Sequence, residues 1–571
     1  MFLLVAAALF TRSPASNYIF DEQEALLANP YVNGRVPFTD LFSRDFWGLP
    51  PGGTIGSYRP VPNLVWRGFW ALGGPLRTPW ALHWVNLVLH ALNAALVATV
   101  AVHLGAARRA AWVSGLVFCS FAVLTEAVTG VVGLADVASA LGVLLALRAL
   151  ELPLVAAGPA VLAAVAVGLF AKEAALVAVP LVPWVALVAA RRHHPGRPLP
   201  VARALVALVS AALALVLYTE TRRRCFPTEL PASLRAALPP DASPPEHALR
   251  AFLRWFAQPR LPQDPINNPL VRADLAGRVA GGLSVFAGGL GQLLVPVTLS
   301  GDYSFAAEPI PAHALSPRSV AGGLSMVGLP LLGMGAALAA RRAGPAVTLL
   351  SIGLVWVPVA YFPHSNLPAL LPTVRADRFW YLPAVGAALA LGPLLAAGLG
   401  VAGRARRPAC VLVATFLLFQ AGSARWHALD YRDDLSFWRA TARAVPASAK
   451  AHLNHGIMLG TRGDLAGRIA ENRRAVELAP DWPMANVYLG DALCRQGRSD
   501  ESIPHYLRGF ALGPNEKSLV ALGLQCLWEK GLFEAHRGEL EDLAVASPGT
   551  WVSYLVHDVA EHGAEHGGVD R

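Results

Sequence analysis

The sequence predicts an all-α protein in two parts, a polytopic bundle of about 11 membrane helices in residues 1–424 and a soluble helical solenoid in residues 425–571. Three observations support this fold class. The chain is 54% hydrophobic and only 15% charged, long apolar runs recur along most of it, and its last quarter repeats with a constant step. Because soluble domains usually carry about 25% charged residues, the first part is expected to lie in a membrane.

The apolar runs define the predicted membrane helices. A run of about 18 or more residues is long enough, as a helix, to cross a hydrocarbon layer of about 30 Å. The first run is too short for this, so we expect either a truncated first helix or a start further upstream; a signal peptide is less expected, because Met1 is not followed by a basic n-region. The runs lie at approximately residues 1–11, 79–104, 110–127, 132–150, 152–171, 174–190, 201–218, 319–340, 345–363, 379–402 and 408–424.

The short loops assign the two sides of the membrane, because arginine and lysine concentrate in cytoplasmic loops. The N-terminus is then inside, and the outer face receives loops 12–78 and 219–318 and everything after about residue 424. Segment 275–299 would break this alternation, so we predict that it is an amphipathic or re-entrant element on the outer side. The basic loops contain Arg108, Arg109, Arg148, Arg191, Arg192, Arg197, Arg341, Arg342, Arg404, Arg406 and Arg407.

The net charge of +9 is explained by this topology and needs no nucleic-acid partner. The frequent use of Ala, Arg, Gly and Pro suggests a GC-rich bacterial genome. The expected location is therefore the bacterial inner (cytoplasmic) membrane, with the C-terminal domain in the periplasm.

The last quarter of the chain is a repeat. Prolines recur every 34 residues from Pro446 to Pro548, and glycines recur with the same step from Gly463 to Gly531. A 34-residue period is typical of tetratricopeptide repeats, and about three repeats fit residues 449–548. Such arrays bind peptides or partner proteins in a concave groove, so we predict a protein partner there and assign any chemistry to the membrane part.

The cysteines carry no clear pattern. There are five, an odd number, and none has the spacing of metal ligands. We interpret them as small apolar residues, with neither a disulfide nor a zinc site.

Polar residues at membrane depth gather on the predicted outer side. Ionisable residues in such places are costly and usually functional. A single polar rim suits a substrate whose apolar tail lies in the bilayer and whose charged head lies at its surface, such as a polyprenyl-phosphate sugar. The candidates are Asp21, Glu22, Arg59, His83, Asn86, His90, Glu126, Asp136, Lys172, Glu173, Asp302, Arg375 and Arg378.

The residue types suggest roles. Arg375, Arg378 and Lys172 could hold a phosphate, and arginine does so with a bidentate fork. Asp21 or Glu22 could remove the proton of an acceptor hydroxyl as a general base. Two carboxylates do not by themselves make a metal site, so no metal ligand is predicted, although a divalent metal is not excluded.

Each candidate also has a structural interpretation. The face formed by His83, Asn86 and His90 could serve helix–helix hydrogen bonding. Lys172 and Glu173 could pair with each other, and Asp302 could cap a turn. The remaining alternatives are interface anchoring, for Arg375 and Arg378, and solvated loop charges, for Asp21 and Glu22.

The order of these motifs resembles the transmembrane and tetratricopeptide repeat-containing O-mannosyltransferases and their bacterial relatives, which belong to the GT-C class of membrane glycosyltransferases. The resemblance rests on "FDE", "DFWG", "SYRP", "HWVNLVLH", "TEAV" followed by "AD", "KE", "LSGDYS" and "RFWYLP", and then the repeats. It implies a GT-C-like bundle, with Asp21 and Glu22 as the catalytic pair and Arg378 as a contact of the donor phosphate. The chain departs from many relatives at Val123, Leu124 and Leu134, where a His and an Arg are expected nearby.

The resulting hypothesis is an inverting glycosyltransferase that uses a lipid-linked donor, a polyprenyl-phosphate sugar that is mannose-like, and no separate cofactor. Its acceptor is a protein or glycan hydroxyl on the outer face. Two alternatives remain: a non-enzymatic tetratricopeptide-repeat scaffold for periplasmic partners, and an O-antigen ligase-like polymerase that relies on basic residues such as Arg222 to Arg224.

Overall fold

The computed structural model describes residues 1–193, 201–226, 228, 230, 232–239, 242–257 and 261–562. These residues form helices and no strand, which confirms the all-α prediction. Within them, nine helices are long and apolar enough to cross a membrane, and one bent pair brings the number to at most ten. The chain is thus a multi-pass membrane protein. Arg197 of the basic loops, and residues 563–571 of the predicted C-terminal domain, lie outside the described residues.

The last predicted membrane helix, 408–424, continues six residues further, to Asp430. The helices of the membrane part are α1 (Phe2–Phe10), α2 (Pro60–Leu72), α3 (Pro79–His103), α4 (Arg108–Ser120), α5 (Thr125–Thr129), α6 (Leu134–Ala149), α7 (Leu154–Ala171), α8 (Ala178–His193), α9 (Val201–Cys225), α10 (Ala232–Arg235), α11 (Pro244–Phe256), α12 (Leu275–Leu294), α13 (Pro317–Ala343), α14 (Pro345–Tyr361), α15 (Tyr381–Gly400) and α16 (Arg406–Asp430).

Small residues let the central helices approach one another closely. A Cβ atom at Gly353 of α14 would lie 2.3 Å from the carbonyl oxygen of Gly386 on α15, and one at Gly392 would lie 1.9 Å from the hydroxyl of Ser114 on α4. Helices α13 and α16 lie at the periphery, where only 17% of the apolar 18-residue stretch of each helix is buried. This packing is typical of membrane bundles, in which small residues lie between helices and large apolar residues face lipid.

Two breaks shape the end of the bundle that carries the candidate residues. The predicted helix 110–127 bends by 50° between α4 and the short helical segment after it. Gln420 of α16 is fully buried there and accepts a hydrogen bond from the backbone N–H of Ala122 at 3.0 Å. The same side chain donates to the carbonyls of Leu293 and Leu294, at the C-terminus of α12, at 3.0 and 3.1 Å. One glutamine therefore satisfies backbone groups at two breaks inside the bundle.

The C-terminal helices form a solenoid with the predicted period. The first helices of successive pairs begin 34 residues apart, at Ala449, Pro483, Lys517 and Trp551. Gly463, Gly497 and Gly531, in the turns within the pairs, have φ of 86°, 84° and 68°, a left-handed conformation that glycine adopts readily. The helices are α17 (Asp434–Ala444), α18 (Ala449–Gly460), α19 (Leu465–Leu478), α20 (Pro483–Arg495), α21 (Ser499–Leu512), α22 (Lys517–Glu529), α23 (Arg537–Ala546) and α24 (Trp551–His562).

The prediction that the chain has no disulfide is wrong. Cys494 on α20 and Cys526 on α22 are bonded, with their Cα atoms 6.6 Å apart. These helices are equivalent elements of consecutive repeats and pack side by side, so residues 32 apart in sequence become neighbours. The repeat period carried this signal, because it exceeds the spacing of the two cysteines by only two residues.

Candidate functional site

The loops that carry the predicted site residues meet at one end of the bundle, here called the rim. The rim contains the loop after α1, the turn from α5 to α6, the start of the segment after α7, the loop around Asp302 and the loop before α15. Direct contacts join them: the carboxylate of Glu22 accepts a hydrogen bond from the N–H of Val131 at 2.8 Å, and that of Glu173 accepts one from the N–H of Tyr58 at 3.2 Å. The predicted convergence of these polar residues is therefore present in the structure.

Glu22 fastens the first loop to the bundle. Its carboxylate is buried and lies 2.7 Å from the guanidinium of Arg12. It also accepts hydrogen bonds from the backbone N–H groups of Ile19 and Val131, at 3.0 and 2.8 Å. With both oxygens engaged in this way, Glu22 is placed to hold the loop rather than to accept a substrate proton.

Asp21 differs sharply from its neighbour. It is half-buried, and within the described part of the chain it makes no hydrogen bond or ion pair. The residue before it, Phe20, has φ of 48°, a left-handed conformation that is uncommon for a bulky side chain and must be held by its surroundings. Trp438 packs edge-on against the Phe20 ring at 5.1 Å, and the Lys450 amine lies 4.8 Å from its centre. The solenoid thus helps to hold the backbone that presents Asp21.

A narrow pocket brings four predicted residues together. Arg378 forms an ion pair with Glu126, and its backbone N–H donates to the same carboxylate at 2.8 Å. The pocket holds about 40 Å³, whereas ligand pockets usually hold about 300 Å³ or more, so a sugar enters only if the pocket widens. It is lined by Ile19, Phe20, Asp21, Glu22, Glu126, Gly130, Val132, Gly133, Gly301, Arg378, Tyr431 and Phe437.

Four more predicted residues form two ion pairs nearby. The amine of Lys172 lies 2.6 Å from Asp136, and Arg59 lies 3.1 Å from Glu173. The alternative that Lys172 and Glu173 pair with each other is therefore wrong. Burial lowers the pKa of Lys172 to about 8, although the nearby Asp136 carboxylate raises it. Lys172 is also within electrostatic range of Arg59 and Arg378, so three cations, each paired with a carboxylate, lie close together beside the pocket.

Arg375 and His83, like the two ion pairs above, do not line the pocket. Arg375 is buried, pairs with Glu308 and with Gln292, and stacks its guanidinium 4.2 Å from the centre of the Tyr303 ring. His83 is fully buried in α3, close to Arg12, the residue that pairs with Glu22. Their positions support the packing of the rim and give neither a direct contact with Asp21.

The other two residues of the His83 face take part in helix packing, as the structural interpretation expected. Asn86 donates to the carbonyl of Gly130 at 2.7 Å. His90 lies 2.8 Å from the hydroxyl of Tyr381 on α15. Both side chains are fully buried, so the face connects α3 to its neighbours.

Asp302 joins the rim to the solenoid. It accepts a hydrogen bond from the N–H of Ser304 at 2.9 Å, which is the turn-capping role that the alternative expected. It also accepts a hydrogen bond from the hydroxyl of Ser448 at 3.1 Å and lies 3.4 Å from the amine of Lys450. The "GDYS" motif therefore docks the first repeat onto the membrane part.

Sequence reasoning missed several residues that shape the site. Arg12 was overlooked because it lies in a predicted loop with no visible partner, and Tyr431 and Phe437 because they follow the predicted end of the membrane part. Gly301 belongs to the quoted "GDYS" motif but was not among the candidates, and its role needs the structure: a Cβ atom there would lie 2.1 Å from the Phe437 ring, so only glycine allows this approach. Among the described residues, no group of three or more His, Cys, Asp or Glu side chains is arranged to hold a metal ion.

Similarity to known proteins is found at the level of sequence. No protein-family model matches the chain. No solved structure matches it either. The informative matches are curated relatives from animals, and they are named protein O-mannosyl-transferases.

The matches differ in extent. Tmtc2 of Drosophila melanogaster is 39% identical over 137 residues, which is 24% of this chain and 14% of the relative. TMTC3 of Mus musculus is 24% identical over 537 residues, or 89% of this chain and 54% of the relative. TMTC4 of Mus musculus is 25% identical over 502 residues, or 81% of this chain and 64% of the relative.

The short matches are the more similar ones, and the long matches follow the chain through both of its parts. This chain spans less than two thirds of the length of each of these relatives. The chain is therefore related to the TMTC protein O-mannosyl-transferases.

Proposed function

We propose that this chain is a GT-C glycosyltransferase of the membrane, which moves a mannose-like sugar from a polyprenyl-phosphate donor to a protein or glycan hydroxyl on the outer face. The names of its relatives support sugar transfer. The observation that carries the proposal is the carboxylate of Asp21, which makes no hydrogen bond or ion pair within the described chain, lies within electrostatic range of Arg378 and lines a pocket together with the Glu126–Arg378 pair. A base without a partner beside a phosphate-binding cation is what this reaction needs.

The proposed reaction is a single displacement. Asp21 takes the proton of the acceptor hydroxyl as general base. The acceptor oxygen attacks the anomeric carbon, the bond from this carbon to the phosphate oxygen breaks, and polyprenyl phosphate leaves. The anomeric configuration is inverted.

The neighbouring residues have supporting roles in this proposal. Arg378 stabilises the negative charge of the departing phosphate. Glu126 orients Arg378, because its carboxylate pairs with the Arg378 guanidinium and accepts a hydrogen bond from the Arg378 backbone N–H. Glu22 holds the loop through Arg12. Lys172 adds positive potential, and no cofactor beyond the donor takes part.

The test is transfer from a panel of radiolabelled polyprenyl-phosphate sugars, beginning with mannose, in membranes that contain the full chain. Asp21→Asn is expected to slow transfer by about 10²–10⁴-fold. Glu24→Gln is the matched control, because Glu24 is an exposed carboxylate three residues away, and it should keep the wild-type rate. Undiminished transfer by Asp21→Asn would remove Asp21 as the base. Absence of transfer from every donor by folded wild type would favour a scaffold instead.

We also propose that the solenoid lies in the periplasm and presents a groove to a protein acceptor or partner. The Cys494–Cys526 disulfide supports an oxidising compartment for it, since disulfides persist there and are rare in the cytosol. Two partly exposed free cysteines allow a test, Cys225 at the predicted outer end of α9 and Cys410 near the cytoplasmic start of α16. In single-cysteine variants, a membrane-impermeant maleimide added to intact cells should label Cys225 and spare Cys410, and the opposite pattern would reverse the topology.

A further inference from the structure

An open groove of about 710 Å³ lies beside the candidate pocket. Its walls come from residues 296–299, from the half of α16 nearer the rim and from the last turns of α17. None of the predicted site residues lines it. The groove therefore needs its own explanation.

The first wall is a non-helical segment, residues 296–299. It follows α12, whose terminal carbonyls are bound by Gln420, ten residues before the end of α16 and thus about 15 Å along that helix. Val297 of this segment is 77% exposed. Non-helical backbone beside a candidate span is tolerated where it is buried in protein or lines a polar cavity, so the groove is expected to receive polar groups as well as apolar ones.

The groove is apolar along one part and cationic at its end. Leu418 and Trp426 on α16 are 71% and 76% exposed, and Trp is enriched where a helix meets the membrane–water interface. At the α17 end, Arg443 is exposed and has no hydrogen bond or ion pair within the described chain. His427 is 5% exposed; its Nδ1 lies 2.8 Å from Asp430, while its Nε2 has no partner among the described residues.

The groove adjoins the candidate pocket through the chain itself. Leu299 lines the groove and Gly301 lines the pocket, two residues further on. Likewise Asp430 faces the groove and Tyr431 faces the pocket. A molecule lying in the groove would have its polar end next to the wall of the pocket.

We infer that this groove binds polyprenyl phosphate, the lipid half of the donor, with its isoprenoid units along α16 and its phosphate at Arg443 and His427. The inference rests on the proposed function and deepens it by giving the lipid a place of its own. Arg443 and His427 hold the phosphate before and after transfer, and Arg378 contacts it during transfer. An amphiphilic anion matches the apolar wall and the unpaired cation. Since Nδ1–H of His427 is donated to Asp430, it is the imidazolium form of His427 that donates a hydrogen bond from Nε2 to the phosphate.

Glycine positions provide a test that leaves the charges intact. A Cβ atom added at Gly422, on the groove, meets no atom within 4 Å, so Gly422→Phe is chosen to place a ring in the groove. Gly335 on α13 is exposed and equally unobstructed, and it does not line the groove, so Gly335→Phe is the matched control. The full chain in nanodiscs is photolabelled with a diazirine-bearing C55 polyprenyl phosphate.

We expect Gly422→Phe to lower labelling about tenfold, Gly335→Phe to leave it unchanged, and Arg443→Gln to lower it severalfold. Unlabelled polyprenyl phosphate should compete, and excess phosphatidylglycerol should not. Equal labelling of the two phenylalanine variants would overturn the inference, and so would equal competition by phosphatidylglycerol, which would make the occupant ordinary membrane lipid.

A second measurement separates this inference from the proposed function. Transfer is compared for donors with C55 and C10 lipids, and Gly422→Phe should slow transfer from the C55 donor far more. If wild type is labelled in the groove but transfers no sugar, the proposed function is wrong and the groove is still a polyprenyl-phosphate site. If wild type transfers sugar, and Gly422→Phe matches wild type in labelling and in activity with both donors, the groove is not the lipid site and the proposed function is kept.

Discussion

Two charged clusters lie at the rim, and they are built differently. In the pocket cluster, Arg378 pairs with Glu126 while Asp21 lies beside them without a partner in the described part of the chain. In the anchor cluster, Arg375 is enclosed by Glu308, Gln292 and the Tyr303 ring, and it does not line the pocket.

The difference shows that charge at membrane depth is not by itself a sign of chemistry. The anchor cluster neutralises its cation and joins α12 to the loop before α15, which is a structural task. The pocket cluster leaves one half-buried carboxylate without a hydrogen bond or ion pair at the wall of the pocket, where a substrate hydroxyl can reach it. The two clusters should therefore respond to substitution in opposite ways, one in stability and the other in rate.

The largest effect is expected in the anchor cluster. Glu308→Gln removes the carboxylate that pairs with the buried Arg375, and removing one partner of a buried ion pair costs about 3–5 kcal/mol. The free energy of unfolding in detergent should fall by about this amount, while the transfer rate per folded molecule stays the same. Arg318→Gln is the control, because Arg318 also contacts Glu308, at 3.2 Å, but is 46% exposed.

A double-mutant cycle sharpens this prediction. Arg375→Met combined with Glu308→Gln removes both charges and should be less destabilising than the sum of the single changes. Additive losses, or a fall in rate that exceeds the loss of folded protein, would place Arg375 among the residues that act on the substrate.

The pocket cluster should show the reverse pattern. Arg378→Met removes the cation that faces the departing phosphate, and loss of one such group slows reactions by about 10²–10³-fold. The unfolding temperature should change less than in Glu308→Gln, because Arg378 is partly exposed. Arg378→Lys keeps the positive charge but loses the bidentate guanidinium, so its transfer rate should lie between those of wild type and Arg378→Met.

The contribution of the solenoid to the pocket can be tested at Lys450. Lys450→Met removes the cation above the Phe20 ring, a contact worth about 0.5–2 kcal/mol, and the ion pair with Asp302. Transfer should slow by roughly two- to thirtyfold because Asp21 is held less firmly. Lys530→Met, at an exposed site in the same domain, should match wild type. Equal rates for the two variants would mean that the solenoid does not position Asp21.

Sequence alone predicted the elements that have a local signature. Apolar runs located the spans, and the 34-residue step located the solenoid helices, since both depend on residues close together in the chain. The gathering of Asp21, Glu126 and Arg378 followed from topology, which needs only the side of each loop.

Pairings between distant residues could not be read in this way. No residue close to Glu22 in the sequence indicates that Arg12 forms an ion pair with Glu22 while Asp21 forms none. This arrangement depends on how the loop folds against the turn after α5. The partner of Arg375 was hidden for the same reason, since Glu308 lies 67 residues away. The disulfide needed the repeat geometry as well as the period.

The smallest expected effect concerns pH and Lys172, which lies between two spans at the edge of the pocket cluster. Burial lowers the pKa of this amine to about 8 from an ordinary value of 10.5. Above pH 8 it loses its proton, the positive potential near Arg378 falls, and transfer from an anionic donor should slow severalfold between pH 7.5 and pH 9.5. In Lys172→Arg the charge persists, so this decline should disappear.

Unfolding does not explain the decline in rate. Between about pH 8 and pH 10.5 the unfolded chain binds more protons at Lys172 than the folded chain, so this group makes the stability of the fold rise with pH. A flat wild-type profile, or the same decline in Lys172→Arg, would show that Lys172 is only a structural partner of Asp136, and the functional cluster would then end at Arg378.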